Sequence, residues 1–144
     1  MRIPVKRLKD GAKLPYLGSA LAAGSDLYAC LETDLEIEPH QTMLVGTGFS
    51  IAVPQGYFGG IFARSGLALK EGLRPANCVG VVDSDYRGEV MVALHNDSSQ
   101  VRRVTNGERI AQLVVLPYLS CVFEETEELE ETDRGDGGFG STGR

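Results

Sequence analysis

The chain has 144 residues, 42% of them hydrophobic, and a formal net charge of −6. That length suits one domain able to bury a core without disulfides or metal, and the acidic balance excludes a protein held on a phosphate backbone by a basic face. The charge is uneven: Met1 to Phe123 carries twelve basic and twelve acidic residues, while the remainder carries eight acids and two arginines. The N-terminal MRIPVKRLKDGAK is charged and lacks a long apolar run, so it does not read as a secretory signal. Cys30, Cys78 and Cys121 are an odd number without C-x-x-C spacing, which predicts free thiols and a cytoplasmic setting. His40 and His95 are too few for a histidine-rich metal site.

Apolar residues recur mostly with period two, the signature of strands. Strands are predicted at SDLYA, DLEIEP, TMLVG, FSIAVP, GYFGGIFA, CVGVV, EVMVALHN, VRRV and RIAQLVVLPYL, punctuated by Gly, Pro, Asn and Asp. In AGSDLYA (Ala23 to Ala29), Asp26 opens a strand, where an aspartate is ordinarily a turn acceptor. Gln41 to Ala63 carries no charge over 23 residues, but five glycines and a proline break it. It reads as consecutive buried strands and not as a membrane helix. RSGLALKEG (Arg64 to Gly72) is the one helix candidate, ending on a glycine suited to a C-cap. Arg64, Ser65 and the Gly66 amide at its start make a phosphate cradle conceivable, although Ser65 reads equally well as an N-cap.

GVVDSDYRGEV (Gly80 to Val90) reads as a hairpin with a wide turn. Turn chemistry accounts for its Asp and Gly, yet Asp83, Asp85, Tyr86 and Arg87 are more functional groups than a turn needs. In EVMVALHN, Val90, Val92 and Leu94 face one way and Met91, Ala93 and His95 the other. In GERIAQLVV, Gln112 is predicted on one face with Ile110 and Val114, where burial would demand a partner, structural or ligand. Seven acids in Glu124 to Asp133 form a solvated, extended linker. Arg134 to Arg144 follows, with five glycines among eleven residues. The reading is therefore an all-β chain, a sandwich or barrel, with at most one short helix.

AGSDLYA, RSGLALKEG, GVVDSDYRGEV, GERIAQLVV and RGDGGFGSTGR, in that order, resemble the five motifs of the trimeric deoxyuridine triphosphatase (dUTPase) family. The resemblance spans essentially the whole chain. It implies an antiparallel jelly-roll-like (β-clip) barrel, hydrolysis of dUTP to dUMP and pyrophosphate with Mg²⁺, and a homotrimer whose sites are shared between subunits. It divides the chain into a barrel catalytic domain at 1–123, the acidic linker at 124–133 and a flexible glycine-rich lid at 134–144. By motif position, Asp83 becomes the base that activates water. Arg64, Ser65, Gly66, Gln112 and Arg134 hold phosphates. Asn77, Val81, Val82 and Met91 meet the uracil edge, Tyr86 packs on the deoxyribose, and Phe139 stacks on the base. Asp26 reaches the metal through water. Membrane and nucleic-acid partners are not expected. Two rival readings are a deoxycytidine triphosphate deaminase, which shares this fold, and a non-enzymatic β-sandwich that binds a protein partner.

Overall fold

A computed structural model describes residues 1–138. Within them lie twelve strands and one helix: β1 (Val5–Arg7), β2 (Tyr16–Leu17), β3 (Ser25–Tyr28), β4 (Leu35–Ile37), β5 (Thr42–Gly46), β6 (Phe49–Ile51), β7 (Tyr57–Phe62), α1 (Ser65–Glu71), β8 (Leu73–Pro75), β9 (Gly80–Val82), β10 (Met91–Asn96), β11 (Arg102–Val104) and β12 (Arg109–Pro117). Every pairing is antiparallel. A five-stranded sheet runs β2-β3-β12-β7-β9, a three-stranded sheet runs β5-β10-β8, and β1-β6 and β4-β11 form two-stranded ribbons. The architecture is the expected all-β, jelly-roll-like one. The charge-free run becomes β5, β6 and β7. Among the described residues no helix is long and apolar enough to cross a membrane.

The alternation read in β10 is realised: Val92 and Leu94 are buried, while Met91, Ala93 and His95 are more open. Phe49, Leu27, Ile37, Leu73, Leu94 and Ile110 are among the largest fully buried side chains of a single core. Each contributes about 1.5–3 kcal/mol by leaving water. Buried polar groups are paired. Thr47 Oγ1 donates to the Val90 carbonyl at 2.7 Å. Asn96 Nδ2 donates to the carbonyls of Ile37 (2.9 Å) and Gln100 (2.7 Å), tying β10 to β4. Helix α1 ends as predicted: Gly72, at φ 69°, is the left-handed C-cap, and its N–H reaches the Ala68 carbonyl at 3.1 Å. The N-cap, however, is Arg64 in extended conformation, so Ser65 is the first helical residue and caps nothing.

Two sequence expectations are corrected. Gly80 to Val90 is not a hairpin, because β9 pairs with β7 while β10 pairs with β5 and β8. The intervening residues cross from one sheet to the other, since each strand finds its hydrogen-bonding partner in a different sheet. Gln112 does not share a face with Ile110. The register of β12 against β3 shifts between Arg109 and Ala111, and Ile110 and Ala111 are both buried. A bulge inserts one residue and resets the alternation, so Gln112 faces out with Val114 and Leu116. The last strand ends at Pro117, two residues before the predicted Leu119, and no strand follows it among the described residues.

Gly48 joins β5 and β6 and fixes the path of both. Its φ is +74°, and a Cβ there would lie 2.6 Å from Ala12 Cβ and 2.7 Å from Cys30 Sγ. Left-handed backbone and steric overlap both oppose a side chain. Gly48→Ala is expected to destabilise the fold by about 2–4 kcal/mol, read as a lowered urea midpoint at unchanged slope.

Candidate active site

The crossing from β9 to β10 makes a cleft between the two sheets. It has a volume of about 310 Å³, and Asn77, Val81, Val82, Asp83, Tyr86 and Met91 line it together with Glu89. Thus the aspartate expected to act as base and all the residues expected at uracil and sugar, Phe139 excepted, share one cavity. Val82 is buried, whereas Asn77, Val81, Asp83, Tyr86 and Met91 are exposed. The turn itself is tightly made. Tyr86 N–H donates to the Asp83 carbonyl at 3.2 Å. The Arg87 guanidinium donates to the carbonyls of Ser84 and Tyr86 at 2.8 Å each. The Asp83 carboxylate has no ion pair and no side-chain hydrogen bond among the described residues. Both its oxygens are free to accept from water.

A second cluster forms where β3, β7 and β12 run side by side. Asp26 accepts from Arg64 Nε at 2.9 Å through Oδ1 and faces Arg109 Nη1 at 3.3 Å through Oδ2. Its side chain is 19% exposed, against 26% for Arg64 and 54% for Arg109. The three groups carry a net positive charge, suited to an anion. Gln112 Nε2 donates to the Ala63 carbonyl at 2.9 Å, holding the turn into α1. Ser65 and Gly66 are exposed at the helix start, and a Cβ on Gly66 would meet nothing within 4 Å. Among the described residues nothing demands a glycine there.

The two clusters are separate within one chain. Register pairs Val82 with Gly59 and Gly80 with Ile61, which sets Asp83 beside Phe58 at one end of the ladder. Arg64 lies beyond the other end of β7, which closes at Phe62. Its guanidinium turns farther off, toward β3, three strands from β9 in the sheet. One chain therefore does not bring Asp83 to Arg64, Ser65 or Gln112. Arg134 lies in neither cluster: its Nε donates to the Gly137 carbonyl at 2.9 Å within its own turn. Phe139 lies outside the described residues. Leu119, Val122 and Phe123, in the segment leading to Arg134, are 88%, 94% and 96% exposed.

Sequence reasoning missed Arg109 and Glu89. Arg109 opens β12, where a lone cation reads as solvated, and the bulge beside it turns it to Asp26. Glu89 reads as a surface acid, yet its carboxylate accepts the Gly48 N–H at 2.8 Å, with Lys9 Nζ 3.6 Å away. Among the described residues no three His, Cys, Asp or Glu side chains gather as a metal cage. Asp26 is the one carboxylate in the cationic cluster. This donor set fits Mg²⁺ held chiefly by phosphate oxygens and water, which is how Mg²⁺ usually binds.

A sequence profile described as dUTPase matches residues 10–143. The deoxyuridine 5'-triphosphate nucleotidohydrolase of Syntrophotalea carbinolica is 47% identical over 141 residues, covering 98% of this chain and 96% of its own. That of Hydrogenobaculum sp. strain Y04AAS1 is 46% identical over 143 residues, with 99% of each covered. Among solved structures, the dUTPase of Staphylococcus bacteriophage 80alpha with dUpNHpp superposes with a TM-score of 0.87 at 27% identity, covering 99% of each chain.

The ion-pair geometry ranks two substitutions. Arg109→Ala removes a half-exposed partner and is expected to cost no more than about 1 kcal/mol. Asp26→Ala leaves the less exposed Arg64 guanidinium without its carboxylate, with only the long bond to the Arg109 carbonyl (3.5 Å) remaining, and is expected to cost more, about 1–3 kcal/mol. Chemical denaturation of the two variants side by side reads the difference.

Proposed function

The chain belongs to the dUTPase family, and from that membership we propose how its residues carry out the family's reaction. It hydrolyses dUTP to dUMP and pyrophosphate. This keeps uracil out of DNA and supplies dUMP for thymidylate synthesis. The observation that carries the reading is the single cleft lined by Asn77, Val81, Val82, Asp83, Tyr86 and Met91. Uracil offers a ring N–H between two carbonyl oxygens. The Asn77 amide and the backbone of Val81, Val82 and Met91, which line the cleft, are the groups that would meet that pattern. Cytosine has lost the N–H and turned one acceptor into an amine, so each mismatched buried group would cost about 1–3 kcal/mol. The relatives' names, which specify deoxyuridine triphosphate, likewise favour this over deamination of dCTP. Thymine is refused for want of room for its methyl, and Tyr86 walls the sugar.

With the base seated, Asp83 orients a water and takes its proton as the water oxygen attacks the α-phosphorus. A new P–O bond forms to that oxygen. The bond to the bridging oxygen breaks, and the electron pair leaves on pyrophosphate. Arg64, the Ser65 hydroxyl, the Gly66 amide and Gln112 hold the phosphates, and Arg64 exchanges Asp26 for them. Asp26 then has Arg109 as its remaining partner and stays available, through water, to Mg²⁺. Magnesium, when bound, supplies charge neutralisation for the triphosphate. The acidic linker 124–133 spaces a lid, 134–144, in which Arg134 pairs with the terminal phosphate and Phe139 covers uracil.

The active unit is a homotrimer with shared sites. The support is geometric. Asp83 and Arg64 of one chain lie beyond opposite ends of β7, which favours a phosphate-holding group supplied by another copy. The bare apolar side chains of Leu119, Val122 and Phe123 are consistent with a segment that reaches onto a neighbour. The free thiols of Cys30, Cys78 and Cys121 accord with a cytoplasmic setting.

Asp83→Asn is expected to bind dUTP with little change while turnover falls about 10²–10⁴-fold, the usual worth of a positioned base. Pyrophosphate release from dUTP, dTTP, dCTP and UTP, with nucleotide binding measured alongside, tests this. Turnover within about tenfold of wild type would rule Asp83 out as the base. Sharing has its own test. Asp83→Asn and Arg64→Ala chains, unfolded together and refolded, should assemble about a quarter of their sites from two intact halves. The mixture then recovers activity that neither variant has alone; a mixture as inactive as its parts would refute shared sites.

A further inference from the structure

Tyr86 is 45% exposed, yet its ring is held at both ends. Its main chain is closed into the turn by the Asp83 carbonyl and by Arg87. Its hydroxyl donates to the Glu89 carbonyl at 3.0 Å. Glu89 is fixed in turn, because its carboxylate, 20% exposed, is bound to the Gly48 N–H. The ring therefore spans two anchored points of the same crossing.

Gly88 lies directly beneath that ring. A Cβ there would stand 2.3 Å from Tyr86 Oη, 2.6 Å from Cζ and 3.0 Å from Cε2. The φ of Gly88 is not left-handed, so its backbone accepts alanine and the obstacle is the tyrosine. The three threatened atoms belong to a rigid plane, which moves as a whole or not at all. Stability gives no reason for such a seat, since an exposed hydroxyl hydrogen-bonds equally well to water.

We propose that Gly88 and the Glu89 carbonyl are positioning elements that set the height of the Tyr86 ring, and thereby exclude ribonucleoside triphosphates from this site. The inference rests on the reading of Tyr86 as the wall against the sugar. A wall rejects an added hydroxyl only as firmly as its supporting contacts hold it in place. The seat supplies the rigidity. The Gly88 gap lets the ring lie low, and the bond to Glu89 keeps it from swinging.

The test compares kcat/KM for dUTP and UTP in the wild type, Gly88→Ala and Tyr86→Phe. The ratio of the two substrates is independent of how much of a preparation is folded, so a merely structural role does not move it. Gly88→Ala should lower the dUTP-to-UTP ratio by about tenfold or more. Tyr86→Phe, which keeps the ring and loses the anchor, should lower it by a smaller factor in the same direction. A Gly88→Ala ratio within about twofold of wild type, with dUTP turnover retained, would overturn this proposal while leaving the functional reading intact. A wild-type chain that hydrolyses no dUTP would overturn both.

Discussion

The cleft depends on how the chain is pinned on the far side of its crossing between sheets. Val90 N–H donates to the Phe49 carbonyl at 2.9 Å, and the Val90 carbonyl accepts from both the N–H and the hydroxyl of Thr47, at 3.2 and 2.7 Å. Thr47, Phe49 and Val90 are fully buried or nearly so. Slack in this triple attachment would let the residues from Asp83 to Glu89 collapse onto one sheet, and the space between β9 and β10 would close. Glu89 adds the neighbouring tie by accepting from Gly48, so the β5–β6 turn holds two consecutive residues at this end of the crossing. Buried backbone groups must be paired, and here that requirement is met in a way that keeps a cavity open.

Much of this was legible in the residues. Alternation marked the long strands because each buries one face, and Gly72 marked the helix end because its φ suits no other residue as well. β1, β2 and β8 escaped notice. They have only two or three residues, and the first two are mostly exposed, so no period is visible. The supposed hairpin from Gly80 to Val90 failed for a different reason. Its two strands have good local chemistry for pairing, but partner choice is a non-local matter settled by β7 and β5. The bulge in β12 was equally hidden, since nothing in the spacing of Arg109, Ile110 and Ala111 announces a doubled residue.

The site was legible in kind and not in arrangement. Motif matching assigned Asp83, Tyr86 and Arg64 to one chemistry, and spacing along the chain carried no hint that they stand at opposite ends of one ladder. Arg109 and Glu89 were invisible because a charged residue at a strand end is ordinarily solvated; tertiary contacts with Asp26 and Gly48 give them their roles. The arginines beside Asp26 are neutralised in part while no anion is present.

The uncharged stretch from Gln41 to Ala63 bears on how the protein comes into being. On a ribosome, β5 and β7 emerge before β9, β10 and β12, with which they finally pair. For that interval their edges are open, and no charged side chain stands among them to repel a like strand from another nascent copy. β6 is better placed, because β1 precedes it. Synthesis of the second half of the chain is thus a race between completing the sheets and self-association, with the first unpaired strands as the runners.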